Sequence, residues 1–175
     1  MAAIYCVPLD GFPNTIMARI ADDIARIIPR DVQLLPGLDT REYSYDPIRG
    51  QHNSTAILQM LIDKVQAPED RILGVTSVDL FIPIFTFVFG EAQLAGPAAV
   101  VSGMRLQNEY YGLKPNAALY HTRLLKECLH ELGHTFGLRH CGSSHCVMSK
   151  STYVENIDLK PGNYCDDCQQ VIQAD

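Results

Sequence analysis

The sequence predicts a mixed fold of the α/β (α+β) class, because short β-type runs alternate with longer helical stretches along the first half of the chain. Hydrophobic residues recur at helical spacing between residues 14 and 28 and again between 54 and 65, and short apolar runs flank each stretch. Helices of this length return the chain to a parallel neighbouring strand by a right-handed connection. The 175 residues, 47% hydrophobic and 19% charged, predict a single globular domain.

The predicted elements follow one another in a regular order. Strands are predicted at 4–8, 32–35 and 72–77, helices at 14–28 and 54–65, and a long loop at 36–51. Ser54 is the expected N-terminal cap of the second helix, and Pro68 is the stop signal after it. Two apolar runs, Leu80–Phe89 and Pro97–Leu106, are the next predicted strands. The break between them is too short for a crossover helix, so they are expected to be antiparallel or to meet at a sheet edge.

A third helix is predicted to begin at Asn116, because leucines recur at helical spacing along the residues that follow. Gly137 is the type of residue that commonly ends a helix in the left-handed conformation. The sequence after Gly137 loses this periodicity and is predicted to be irregular. We therefore expect one domain, residues 1–175, with an upper subdomain at 1–137 that holds the sheet and this helix, and a lower subdomain at 138–175.

The composition argues against several classes of function. The 14 lysine and arginine residues are outnumbered by 20 aspartate and glutamate residues, and the net charge of −6 argues against a nucleic-acid-binding face. The longest apolar run is interrupted by Pro83 and is much shorter than the ~20 residues of a membrane helix, so no membrane association is expected. The N-terminal segment lacks the basic and apolar regions of a secretion signal, so a cytoplasmic location is expected.

The third predicted helix carries a His-Glu-Leu-Gly-His sequence near its end. His130 and His134 are four residues apart and lie on one face, one turn apart along the axis, so both imidazoles can bind one ion. Glu131 lies about 100° further round the helix, where its carboxylate can contact a water on that ion and act as a general base. A sharp turn at Gly137, with a positive φ, can return His140 to the same ion.

Three neutral imidazoles leave a four-coordinate zinc ion with one open position for water, which is the arrangement of a catalytic rather than a structural site. Zinc lowers the pKa of such a water to about 7 and polarises a carbonyl group. The five fixed residues of the pattern His-Glu-x-x-His-x-x-Gly-x-x-His occur together by chance on the order of once in 10⁵ chains of this length. The alternative is a pair of buried helix histidines with an unrelated His140.

Four of the six cysteines have the spacing of a second zinc site. Cys141 and Cys146 form a Cys-x4-Cys pair, and Cys165 and Cys168 form a Cys-x2-Cys pair that 18 residues separate from the first. Four thiolates around one tetrahedral ion make a closed, structural site. A redox role for the second pair is the alternative, but the strand-to-helix context of a thioredoxin-like site is absent.

The histidine motif, the following Met148 and the four cysteines together resemble the archaemetzincin family of the metzincin clan of zinc peptidases, and the matching motifs cover residues 130–168. The resemblance implies a metzincin-like mixed sheet, an active-site helix and a small zinc-braced C-terminal subdomain. It also implies two zinc ions per chain, one catalytic and one structural, with Met148 in a turn below the catalytic ion. Some clan members use a tyrosine two residues after this methionine. Here that residue is Lys150, so the tyrosine role does not transfer.

The resemblance further implies that an extended substrate pairs with the edge strand of the sheet, where backbone groups of both chains form hydrogen bonds. Val100–Leu106 is the candidate for this edge strand. An ordinary core strand is the alternative interpretation of the same residues.

The predicted function is that of a zinc-dependent peptidase, in which Glu131 activates a metal-bound water. Its expected substrates are peptides or small proteins, and the protein is expected to be a monomer. The alternative is a non-hydrolytic zinc protein that binds peptides or senses metal through the same cleft. Glu131 favours the peptidase, because a binding module has no chemical need for a carboxylate between the two ligand histidines.

Overall fold

Strands and helices alternate along the first half of the chain in the computed structural model, which describes residues 2–174. The strands are β1 Ala3–Pro8, β2 Asp31–Leu34, β3 Tyr45–Asp46, β4 Gln51–Asn53, β5 Arg71–Thr76, β6 Leu80–Phe81, β7 Gly90–Ala92 and β8 Ala98–Ser102. The α-helices are α1 Asn14–Ile27, α2 Arg41–Ser44, α3 Ser54–Ile62, α4 Ala117–Thr135, α5 Val154–Leu159 and α6 Asp166–Ala174. Two 3₁₀ turns, Met104–Leu106 and Asn108–Tyr111, connect β8 to α4.

Five strands form the main sheet in the order β2–β1–β5–β8–β7. The first four of these run parallel, and β7 runs antiparallel to β8. A second, small sheet has the order β3–β4–β6. The predicted α/β (α+β) class and the parallel arrangement of the first half are therefore confirmed.

Helices cover both faces of the main sheet. On one face, α1 and α4 pack on the strands, and Ile20, Leu73 and Leu129 belong to one cluster of buried hydrophobic side chains. On the other face α3 packs on the strands, and Ile57 and Val100 belong to a second cluster. Strands that are buried on both faces have nearly continuous apolar sequences. Within residues 2–174, no helix has both the length and the apolar character that a membrane crossing would need.

The prediction of an edge strand at Val100–Leu106 is wrong. β8 pairs on both sides, with β5 and with β7, and all of its residues are buried. Its small apolar residues fit a strand that helices cover on both faces. The chain leaves the sheet at Met104–Leu106 as a 3₁₀ turn. The edge of the sheet is instead β7, which lies in the segment predicted as a break between strands.

The apolar run Leu80–Phe89 is a strand only at its start. β6 covers two residues and pairs with β4 in the small sheet. Pro83 has no amide hydrogen to donate to a sheet and therefore ends the strand. The residues after it are largely irregular and reach the main sheet only at β7, which makes the antiparallel pair with β8. Residues 36–51, predicted as a loop, also contain α2 and β3.

Asparagine side chains cap two of the helices. The third helix is predicted to begin at Asn116, and this residue caps α4, because its Oδ1 accepts a hydrogen bond from the amide three residues later at 3.0 Å. The cap of α3 is Asn53 rather than the predicted Ser54. Asn53 Oδ1 accepts a hydrogen bond from the Ala56 amide at 3.2 Å. The Ser54 hydroxyl instead donates to the Phe81 carbonyl oxygen at 3.1 Å.

The end of α4 at Gly137 has the predicted left-handed geometry. Gly137 has a φ of +85°, and its amide donates to the His134 carbonyl oxygen at 2.9 Å. The Leu138 amide donates to the Gly133 carbonyl oxygen at 3.1 Å. These two bonds form a Schellman motif, which reverses the chain direction directly after the helix.

The prediction that the chain is irregular after Gly137 is wrong in part, because this region contains α5 and α6. These helices have six and nine residues, which is too short for hydrophobic periodicity to be distinctive. The side chain of Arg123 on α4 forms two hydrogen bonds of 2.7 Å to Asp158 on α5. Val147 and Ile172 join the same hydrophobic cluster as α1 and α4. The C-terminal region therefore packs against the face of the sheet that α1 and α4 cover.

We expect Gly137→Ala to lower the free energy of unfolding by about 1 kcal/mol, because a side chain in the left-handed region crowds the following carbonyl oxygen. Denaturant unfolding followed by circular dichroism in zinc-containing buffer measures the loss. Gly162→Ala is the control, because its φ lies outside that region and an added β carbon meets only Lys126 Cγ at 3.9 Å. The control should change the stability by less than about 0.5 kcal/mol. Equal stability of the two variants would contradict this account of the turn.

Candidate metal centres and cleft

Three histidine side chains converge at the C-terminal end of α4. His130 and His134 lie one turn apart on the same face of the helix, and their Nε2 atoms are 3.2 Å apart. The turn at Gly137 brings back His140, whose ring centroid lies 5.3 Å from that of His130 and 5.2 Å from that of His134. One nitrogen atom from each ring lies within 4.8 Å of the other two. The structure thus brings the three predicted ligands together.

Backbone carbonyl groups fix the orientation of two of these rings. His130 Nδ1 donates to the Val147 carbonyl oxygen at 2.9 Å, and His134 Nδ1 donates to that of Leu138 at 2.7 Å. A carbonyl oxygen only accepts, so the proton of each neutral ring is on Nδ1 and each Nε2 carries a lone pair. Burial is the main reason that the pKa of His130 is lowered to about 2 and that those of His134 and His140 are also lowered.

The resulting donor set fits a zinc ion. Two nitrogen lone pairs face each other at 3.2 Å with no proton between them, and a third imidazole lies beside them. A shared cation satisfies all three lone pairs, and neutral imidazole nitrogens are preferred zinc donors. No other protein side chain is needed to complete the set, so a coordination position remains for water or substrate.

Glu131 lies beside the histidines and lines the same cleft. The residue is only 7% exposed, and this burial raises the pKa of its carboxyl group well above the ordinary value, with a further contribution from the charge of Glu127. Its side chain lies directly against the edge strand, because a β carbon on Gly90 would be 2.7 Å from Glu131 Cγ and 2.9 Å from Oε1. Glycine at this position of β7 therefore leaves the space that the Glu131 side chain fills.

A buried ion pair lies behind the histidine cluster. Lys160 Nζ is 2.9 Å from Glu127 Oε1, and the two side chains are only 2% and 4% exposed. The same ammonium group lies 3.4 Å from His130 Nδ1. Its charge partly offsets the burial of Glu131 by lowering the pKa of that carboxyl group. The pair therefore joins the end of α5 to α4 at the level of the site.

Three residues at this site belong to no motif that the sequence displays. Glu127 lies four residues before Glu131 on the same face of α4, and this spacing is the one local signal for it. Lys160 and Gly90 reach the site only through tertiary contacts, from 29 residues after and 41 residues before Glu131 respectively. Neither separation corresponds to a repeat of a helix or strand, so the sequence gives no sign that these two residues lie near Glu131.

Met148 lies beneath the helix that carries the histidines. Its side chain is fully buried and fills the space beside Gly133, where a β carbon would overlap the methionine sulfur. The Met148 carbonyl oxygen accepts a hydrogen bond from the Cys141 amide at 3.0 Å. The side chain of Met148 thus contacts the helix, and its backbone carbonyl group is bonded to the cysteine-containing loop.

The four predicted cysteine ligands form a second cluster. Their sulfur atoms all lie within 4.8 Å of one another, and none of the four is in a disulfide. Cys141 Sγ and Cys165 Sγ are 3.9 Å apart, close to the edge of about 3.8 Å of a thiolate tetrahedron with zinc–sulfur distances of ~2.3 Å. Amide groups point at the sulfurs, since the Cys165 amide donates to Cys146 Sγ at 3.4 Å. This set fits a closed tetrahedral zinc site, whereas a separate redox pair would not include four sulfurs.

A cleft with a volume of about 480 Å³ opens at the histidine cluster. We call Ile82 and Phe85–Phe89 its apolar wall, and Lys150–Thr152 its polar wall. The remaining lining residues are Gly90, Glu91, Ala92, Glu127, His130, Glu131, His134 and His140. The cleft therefore has an apolar side formed mainly by phenylalanine and valine, and it also contains the candidate catalytic groups.

Polar residues of the small sheet and its surroundings hold the apolar wall in place. Arg49 Nη2 donates to the Phe85 carbonyl oxygen at 2.7 Å. Gln51 Nε2 donates to the Thr86 carbonyl oxygen at 3.0 Å. The Arg105 guanidinium stacks on the Phe87 ring at 4.1 Å from its centroid. These contacts fix an irregular segment that has few sheet bonds of its own.

Comparisons with known proteins assign a family to this arrangement. A family model described as peptidase family M54 matches residues 14–174. The archaemetzincin of Methanocaldococcus jannaschii is 45% identical to the chain over 141 residues, which cover 81% of the chain and 76% of that protein. The chain belongs to peptidase family M54. The archaemetzincin resemblance that residues 130–168 suggested is therefore confirmed.

Solved structures of similar proteins have the same fold. The crystal structure of archaemetzincin from Methanopyrus kandleri matches this M54 chain with a TM-score of 0.84 and 36% identity, and covers 99% of the chain and 94% of its own length. A zinc-dependent peptidase from Methanocorpusculum labreanum matches with a TM-score of 0.87 and 26% identity, over 97% and 99% of the two chains. The M54 protein is a zinc metallopeptidase that acts on peptides. Membership of a peptidase family argues against the alternative that the chain is a non-hydrolytic zinc protein.

We expect Gly90→Ala to lower peptidase activity about tenfold or more, because the new methyl group takes the space of the Glu131 side chain, and small displacements of catalytic groups are costly. Hydrolysis of a fluorogenic peptide library measures the effect. Gly162→Ala is the control, since a β carbon there meets only Lys126 Cγ at 3.9 Å and the residue lies outside the cleft. Because the Val100 carbonyl oxygen is also close to Gly90, thermal unfolding of both variants is measured alongside. Full activity of Gly90→Ala would refute the positioning role.

Proposed function

We propose that the protein hydrolyses peptide bonds with a zinc ion bound by His130, His134 and His140 and with Glu131 as the general base. The observation that supports this most directly is the pair of lone-pair nitrogens of His130 and His134, 3.2 Å apart, at a cleft that a buried carboxylate also lines. Carbonyl groups of the chain already hold the Nδ1 protons of both rings. The site therefore needs little reorganisation to bind the ion.

Zinc, when bound, acidifies a water molecule and polarises the carbonyl group of the peptide bond. Glu131 accepts the proton of the attacking water and then delivers it to the nitrogen of the leaving amine. Burial raises the pKa of this carboxyl group and the Lys160 charge lowers it, and a higher pKa makes the carboxylate a stronger base toward the proton of water. The backbone of Gly90 and the Glu127–Lys160 pair keep the carboxylate from moving away from the cleft.

We propose that an extended substrate lies along β7, not along the segment beginning at Val100. β7 has a neighbour on one side only, so its other edge is available to the backbone of a peptide. Glu131 lies against Gly90 of this strand. A peptide on the edge of β7 would therefore pass close to the general base.

We further propose that Cys141, Cys146, Cys165 and Cys168 bind a second, structural zinc ion, which gives two ions per chain. The loop between Cys141 and Cys146 leads directly to Val147 and Met148, which contact the histidine helix. The second ion would thus fix the position of that support. The subdomain boundary at Gly137, with parts 1–137 and 138–175, stays a prediction, as do the monomeric state and the cytoplasmic location.

Glu131→Gln should lower kcat by about 10²- to 10⁴-fold, the usual contribution of a general base, while leaving zinc bound. The amide preserves the shape of the side chain but cannot accept the proton. Initial rates on a fluorogenic peptide library and zinc content by mass spectrometry are the two measurements. Glu109→Gln, at an exposed position outside the cleft, is the control and should keep full activity. Unchanged turnover by zinc-loaded Glu131→Gln would exclude the proposed mechanism.

The double variant Cys165→Ser, Cys168→Ser should weaken zinc binding at the histidine cluster by about 10- to 100-fold, as loss of outer-shell order does. Competition with a chromophoric chelator measures this affinity. His145→Ala is the matched control, because His145 is an exposed residue of the same loop outside both ligand clusters. If the double variant bound zinc at the histidines as tightly as the control, the two centres would be independent.

A further inference from the structure

Lys150 occupies a distinctive position on the polar wall of the cleft. It follows the buried Met148 by two residues and lines the same cavity as Glu131 and the three histidines. Its side chain is exposed, and within residues 2–174 no hydrogen bond or ion pair holds its ammonium group. The cleft thus presents an exposed positive charge on the wall of the cavity that holds Glu131 and the histidines.

The carboxylates that line the cavity are already engaged. Glu91 accepts hydrogen bonds from the hydroxyl groups of Ser54 and Thr55. Glu127 is paired with the buried Lys160. Glu131 lies against the backbone of β7 as the proposed general base. Lys150 is the only lysine or arginine among the lining residues in the described part of the chain. Because none of these carboxylates pairs with it, its charge is available to bind a ligand.

The surroundings of Lys150 favour a carboxylate as that ligand. The phenylalanine and valine side chains of the apolar wall line the same cavity as Lys150, so a bound peptide would shield a charge pair there partly from water. A lysine ammonium and a carboxylate form a charge-assisted hydrogen bond. A group that stabilises a developing oxyanion is instead held rigidly in place before reaction, and Lys150 has no contact that would hold it.

We propose that Lys150 binds a carboxylate of the substrate, so that the enzyme selects peptides with a negative charge near the scissile bond. The carboxylate is either the free C-terminus of a short peptide or the side chain of an aspartate or glutamate. This inference rests on the proposed function, because it takes the cleft to be the substrate site.

The test compares cleavage of matched fluorogenic peptides. One series replaces glutamine by glutamate at each position around the scissile bond, and a second series replaces a C-terminal amide by the free acid. The wild type should prefer the charged member of one series by about two- to fivefold in kcat/KM, mainly through KM, as a partly exposed charge pair allows. The series that shows the preference identifies the source of the carboxylate.

Variants of Lys150 test whether its charge causes the preference for negatively charged peptides. Lys150→Arg should keep it, Lys150→Met should remove it, and Lys150→Glu should reverse it in favour of the uncharged peptides. Lys114→Met removes an exposed lysine outside the cleft and should behave as the wild type. A preference that survives in Lys150→Met would overturn the proposal. A loss of kcat in Lys150→Met that is equal for all peptides would also overturn it and would indicate oxyanion stabilisation instead.

A binding measurement separates this proposal from the proposed function. The same peptides are titrated by fluorescence anisotropy into zinc-loaded Glu131→Gln protein, with and without Lys150→Met. Tighter binding of the charged peptides that depends on Lys150 supports the inference even if the wild type cleaves none of them, which would refute only the hydrolytic mechanism. Equal binding of charged and uncharged peptides would overturn the inference whatever the wild type cleaves.

Discussion

The structure depends on two imidazole rings that point unprotonated nitrogens at each other across 3.2 Å. This contact is unfavourable unless a cation lies between the lone pairs, and it persists because the opposite side of each ring donates to a carbonyl oxygen. One of those carbonyls belongs to the turn after α4 and the other to the cysteine-containing loop. The histidine cluster is therefore a place where the C-terminal region contacts the helix, and zinc binding at this candidate site would be coupled to folding.

The C-terminal region supports the site through several kinds of contact. Met148 fills the space that Gly133 leaves open, and Lys160 places a buried charge beside Glu127 and His130. A buried ion pair gives little net stability by itself, but removal of one partner leaves an unpaired charge at high cost. Such a pair is better suited to fixing one arrangement of the site than to increasing the stability of the domain.

The cleft combines an edge strand, an apolar wall and a polar wall that come from three separate parts of the chain. Its apolar wall is irregular, and arginine and glutamine side chains from outside the cleft hold it. The proposed catalytic groups thus lie on a helix, whereas the walls of the cleft lie on segments whose side chains can vary without disturbing the sheet.

The sequence by itself determined the histidine cluster, the turn at Gly137, the start of α4 near Asn116 and the alternation of strands and helices, because each follows from the geometry of a few consecutive residues. An i, i+4 pair on a helix meets on one face in any fold. Tertiary structure alone decided that β7 rather than the segment from Val100 is an edge strand, and that Gly90 and Lys160 lie near Glu131 and Glu127. Strand order and contacts between distant segments depend on how all the elements pack together, which no local pattern of residues records.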